Sequence, residues 1–149
     1  MKRKYFAYII LSFFILFSCK EDEDPKPSIV GKWKGTLAEI QVKPFGLPTP
    51  ISRNDDDFAA EIEFKSDGTM ILLENAQPIE GTYHIMGDQL MTDIDFQTDA
   101  LDLSGDYVIE ELTQNKLVIF LEKDGSVTDP GTGVTINGDI KATLHFDRQ

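Results

Sequence analysis

Few side chains in this chain have the chemistry of a catalyst. There is one cysteine, Cys19, and there are two histidines, His84 and His145, in 149 residues. His84 lies between Tyr83 and Ile85, and His145 between Leu144 and Phe146. Each is out of phase with its apolar neighbours in an alternating segment, so each is expected to face solvent. No Gly-x-Ser-x-Gly elbow, phosphate-cradling glycine loop or His-x-x-x-His spacing is present. Asn54-Asp55-Asp56-Asp57 clusters oxygen ligands, and Asp124-Gly125-Ser126-Val127-Thr128-Asp129 spaces them at alternate positions as calcium loops do. Neither has the glycine at position six or the glutamate at position twelve of an EF-hand, so both are read as solvated loop carboxylates. The 26 Asp and Glu residues are a matter of composition rather than a paired acid and base. No enzyme activity, metal or cofactor is expected.

The chemistry that the spacing does support is acylation of Cys19. Lys2, Arg3 and Lys4 form a basic start, Tyr5 to Phe17 is almost wholly apolar, and Ser18 is small. That is the layout of a secretory signal. The apolar run falls short of the ~20 residues that span a bilayer. Leu16-Phe17-Ser18-Cys19 resembles the lipobox of bacterial lipoproteins, although Phe17 departs from the small or aliphatic residue usual there. The resemblance implies cleavage after residue 18, acyl chains such as palmitate on Cys19, and a lipid bilayer as the first partner. Lys20, Glu21, Asp22, Glu23 and Asp24 follow as a charged block, then Pro25-Lys26-Pro27-Ser28 as a stiff tether. A lysine and acidic cluster directly after the cysteine is similar to the export tag that places some Gram-negative lipoproteins on the outer face of the outer membrane. The expected divisions are signal 1–18, anchor and tether 19–28, and one domain 29–149.

Loss of Lys2, Arg3 and Lys4 with the signal takes the formal charge from −12 to −15. Such a field repels nucleic acid and anionic bilayers. It favours solubility, a monomer, and attraction of basic partners.

Past residue 29 the apolar period is two rather than 3.6. Phe58, Ala60, Ile62 and Phe64 share one face; Ile140, Ala142, Leu144 and Phe146 share another. Turn signals at Ser66-Asp67-Gly68, Gly87-Asp88 and Thr113-Gln114-Asn115 divide short strands. The pattern predicts strands at 31–42, 57–65, 69–75, 80–86, 89–96, 106–112, 116–123 and 139–147. Longer connections are expected at 44–56, 75–79, 97–105 and 124–138. Eight antiparallel strands in a meander close into a small up-and-down barrel without open edges. An open β-sandwich is the alternative. Glu110-Glu111 breaks the alternation between Ile109 and Leu112, which predicts a bulge.

In order and spacing, Gly31-Lys32-Trp33, Phe64-Lys65-Ser66-Asp67-Gly68-Thr69, Gly81-Thr82-Tyr83-His84-Ile85, Gly87-Asp88-Gln89-Leu90 and Tyr107-Val108-Ile109-Glu110-Glu111-Leu112 resemble the calycin superfamily, in particular lipocalin-like domains of bacterial lipoproteins. The resemblance implies that Trp33 closes one end of the barrel, with Arg148 available to cover its ring. The inward candidates, lining either a cup or a filled core, are Trp33, Phe64, Leu72, Tyr83, Ile94, Tyr107, Ile119 and Leu144. Strands of seven or eight residues favour a filled or shallow interior. The expected function is a binding module for a small apolar ligand in the cup or a surface partner on the loops. The alternative is a protein-interaction or hydrolase-inhibitor lipoprotein without a small-molecule site.

Overall fold

A computed structural model describes residues 26–149 except 57, 75–76, 95, 99–100 and 129–132. The expected signal 1–18, Cys19 and the charged block 20–24 lie outside the described residues. So do Asp57 and Asp129 of the two acidic loops.

Eleven strands form, and no helix forms among the described residues. They are β1 (Gly31–Pro44), β2 (Ile51–Asp55), β3 (Glu61–Phe64), β4 (Thr69–Glu74), β5 (Gln77–Met86), β6 (Gln89–Thr92), β7 (Phe96–Thr98), β8 (Leu101–Leu103), β9 (Tyr107–Leu112), β10 (Lys116–Thr128) and β11 (Thr135–Arg148). Eight of them, β1-β3-β4-β5-β6-β9-β10-β11, pair in that order, and β11 returns to β1. Every ladder is antiparallel. The β11–β1 ladder, from Trp33↔Arg148 to Pro44↔Gly138, closes the barrel and sets the sandwich aside.

The turns form where their chemistry predicts. Gly68 and Gly87 sit at φ 85° and 69°, a region that L side chains avoid. Asp67 accepts from the Thr69 amide (3.0 Å) and hydroxyl (2.7 Å), and Thr113 Oγ1 accepts from the Lys116 amide (2.9 Å). The expected bulge is present. Val118 faces Glu111 and Ile119 faces Ile109, so Glu110 is the extra residue.

All four expected connections carry strand; residues 77–79 of the 75–79 connection open β5 and pair with β4. Residues 44–56 contain β2, which pairs with the second half of β1. Residues 97–105 contain β8, which pairs with β7. Residues 124–138 are mostly a continued β10–β11 ladder reaching Thr128↔Thr135. That ladder continues because Val127 and Ile136 stay in phase with the core face and pack against it. β1, β10 and β11 therefore run to 14, 13 and 14 residues, longer than expected. Two strands are shorter. β3 starts at Glu61; before it, the Ala60 carbonyl accepts from the Gly35 amide (2.7 Å). β6 stops at Thr92, whose hydroxyl turns back onto the Ile94 carbonyl (2.7 Å).

One contiguous apolar cluster fills the wall interior. Its largest fully buried side chains include Trp33, Tyr107, Phe64 and Phe146. Burial of each such side chain stabilises by ~1.5–3 kcal/mol. Edge-to-face contacts order the aromatics: Phe64 with Tyr83 at 4.9 Å and Phe58 with Phe146 at 5.7 Å.

Candidate functional site at the distal end of the barrel

Strand direction sorts the connections between two ends. Residues 26–30, the turns at 65–68, 87–88 and 113–115, and the C-terminus share one end, because β1 begins there and its neighbours run antiparallel. The loop 45–50, the β7–β8 hairpin and the tip between β10 and β11 share the opposite, distal end. Residues 26–30 thus join the end with tight turns, and the long connections stand away from them.

Trp33 plugs the tether end. Its indole Nε1 donates to the Ile29 carbonyl (2.7 Å), and the Arg148 guanidinium stacks 4.3 Å from its ring centroid. Arg148 also donates to the Val30 carbonyl (3.0 Å) and to that of Ser28, tying the tether to the last strand. This is the arrangement that the Gly-x-Trp resemblance implied.

Of the eight inward candidates, Trp33, Phe64, Leu72, Ile94, Tyr107, Ile119 and Leu144 are buried in one cluster, and Tyr83 packs against it. Two hydroxyls are used internally. Tyr107 donates to the Leu103 carbonyl, and Tyr83 to the Lys65 carbonyl (2.7 Å). Burial and the nearby Asp67 raise the Tyr83 pKa. Ile94 is buried although it lies beyond β6.

The histidines sit on the outer face. His84 is exposed. His145 is less open than alternation suggests, because its Nε2 meets Glu39 Oε2 at 3.1 Å across the β1–β11 ladder. That pair lies in a concavity of about 870 Å³ on the outer wall, with Glu110, Glu111, Lys116, Lys141 and Thr143 around it. Among the described residues no three His, Cys, Asp or Glu side chains converge as metal ligands.

The distal end carries exposed apolar side chains. Phe45 is 64% exposed, Leu47 57%, Ile51 49% and Val134 56%. The loop that bears the first two and leads into Ile51 of β2 is ordered by its own backbone. Phe45 N–H donates to the Asn137 carbonyl (3.2 Å) and Leu47 N–H to the Pro44 carbonyl (3.1 Å). Close approach of β1 and β11 there needs Gly138, where a Cβ would strike the backbone of Lys43 and Pro44. Pro50 then borders a second outer concavity, of about 500 Å³, whose wall includes Lys43, Glu122, Asp124, Asp139 and Lys141. Asp124 and Asp139 stand directly opposite each other in the β10–β11 ladder, both exposed. Sequence reasoning marked 44–56 as a connection and did not single out Phe45, Leu47 or Ile51. The available signal was large apolar residues placed between Pro44, Pro48 and Pro50, outside any alternating strand.

No family model, curated protein or solved structure matches this chain.

Proposed function

We propose that this chain is an acylated outer-membrane lipoprotein, displayed on the cell exterior, whose barrel is a monomeric, non-catalytic binding module for a protein or glycan partner. The observation that carries the reading is the segregation of connections. Tight turns surround the tether, while the apolar loop and long hairpins stand at the opposite end. An anchor through Cys19 would hold that end away from the bilayer. The signal layout, the lipobox resemblance and the similarity of Lys20–Asp24 to an export tag support the anchor and its outward face. Dense packing of the inward candidates supports a filled barrel over a ligand cup.

Two experiments test the reading. Cys19→Ser in the full chain should abolish detergent partitioning, and neutral residues in place of Lys20 to Asp24 should reduce protease accessibility on intact cells while anchoring persists. Membrane retention of the Cys19→Ser chain with residues 1–18 uncleaved would favour a transmembrane segment instead. For the interior, an environment-sensitive apolar dye should show no saturable site, and Ile94→Trp should unfold the domain by overpacking. Saturable binding at one site, weakened by Ile94→Trp, would restore the small apolar ligand.

A further inference from the structure

Resting on that reading of the distal end, we infer that the Phe45–Ile51 loop is a preformed docking ridge for a folded protein that presents an apolar groove rimmed by Lys or Arg side chains. Phe45, Leu47 and Ile51 are each about half exposed or more, in a domain whose other large apolar side chains are mostly inside. Isolated exposed apolar residues are ordinary, but three within residues 45–51, the 45–50 loop and the first residue of β2, form a patch. The loop is stiff, because Pro48 and Pro50 fix φ and the Phe45 and Leu47 amides are bonded. Little conformational entropy is then lost on docking, which favours affinity at a given contact area.

Charge selects the occupant. The concavity beside Pro50 sets Glu122, Asp124 and Asp139 among Lys43, Lys123 and Lys141, so the excess that favours a basic partner comes from the chain as a whole. Like charges directly opposite across strands are unfavourable by themselves. Lys43 faces Asp139 from β1, while Lys141 is drawn to Glu122 (3.8 Å) and over the Phe120 ring (4.4 Å). A cation from a partner, set next to its apolar groove, relieves the opposed pair. The chain's formal −15 without its signal steers basic proteins in and opposes a second copy of itself. A bilayer is the wrong occupant on geometry, because the ridge lies at the end opposite residues 26–30.

A photo-crosslinking residue at Leu47 of the full chain, displayed on intact cells, tests this. The expected result is an adduct with one protein of basic isoelectric point, with mass spectrometry locating the link beside Lys or Arg and apolar residues. Its yield should fall about tenfold in Phe45→Ser, and again in Asp124→Asn/Asp139→Asn. The latter should lose most of its salt dependence. Equal denaturant midpoints would show that these variants fold. Adducts of the chain with itself, adducts with lipid, or a yield unmoved by either variant would overturn the inference. The same probe at Val134 separates the two levels of argument. Crosslinks from Val134 but not Leu47 defeat the ridge and keep the distal binding face; crosslinks from neither defeat both.

Discussion

The indole of Trp33 does three jobs at once: it fills the tether end, bonds the Ile29 carbonyl and carries the Arg148 guanidinium. Trp33→Ala should therefore cost ~3–5 kcal/mol, read as a lower denaturant midpoint. Arg148→Ala should cost ~0.5–2 kcal/mol and loosen residues 28–30 in amide exchange. His145→Ala removes a half-exposed pair with Glu39 and should cost ~0–1 kcal/mol. Equal losses from Trp33→Ala and His145→Ala would mean that the inward and outward faces are misassigned. Two turn carboxylates add a pH response. The Thr69 hydroxyl and amide hold Asp67 below its ordinary 3.8, and the Thr82 amide and hydroxyl do the same for Asp93. A depressed folded pKa gives stability that is present above 3.8 and lost as pH falls through the folded value. Asp67→Asn with Asp93→Asn should flatten the acid limb of a stability–pH curve. Tyr83 has the opposite sign: its raised pKa gives stability that is present below 10.0 and lost as pH rises through the folded value.

Among the elements, those with strict alternation were the legible ones. Ile140-x-Ala142-x-Leu144-x-Phe146 faces inward as its period requires, and the Glu110-Glu111 break is a bulge because two adjacent polar residues cannot both follow the pleat. What local pattern could not reveal was how far a ladder runs. The arms of β10 and β11 contain Gly125 opposite Gly138, and glycine reads as loop. Here it marks close packing instead, against Ile140 at Gly125 and against β1 at Gly138. Gly138→Ala should destabilise by ~1–3 kcal/mol and shift the Phe45 and Asn137 amides first, as two-dimensional NMR would show. The candidate site escaped for a related reason. Phe45 and Leu47 lie in a loop and Ile51 opens β2, and no period identifies which of them stay in water. Seven of the inward candidates were readable as core because each repeats at an alternating position; Ile94 shows that burial can outlast the strand that suggested it.

At the scale of the whole molecule, the eight-strand count and the closure were expected from hairpin spacing, whereas the two-ended division of its connections emerges only once the strands are paired. Exchange of 45–51 for a short Asn-Gly turn should leave the thermal midpoint within a few degrees, since those side chains are mostly outside the core. Collapse of the fold on that exchange would assign the loop a structural role.

The ladder between β1 and β11 joins the first strand to the last. Every other barrel ladder joins barrel strands that follow one another along the chain and can form as soon as both have emerged, but the seam must wait for Arg148. A chain threaded through a membrane with its N-terminus leading would keep β1 unsealed on that side until the whole domain had crossed, so in such a passage the seam would form last. Non-local closure is also the slow step in folding such sheets. A circular permutant that links Gln149 to Ile29 by a short Gly-Ser segment and opens at 113–115 converts this seam into a hairpin and leaves the much shorter β9–β10 ladder as the closing one. It should refold several-fold faster with a similar midpoint; an unchanged refolding rate would show that the seam is not rate-limiting.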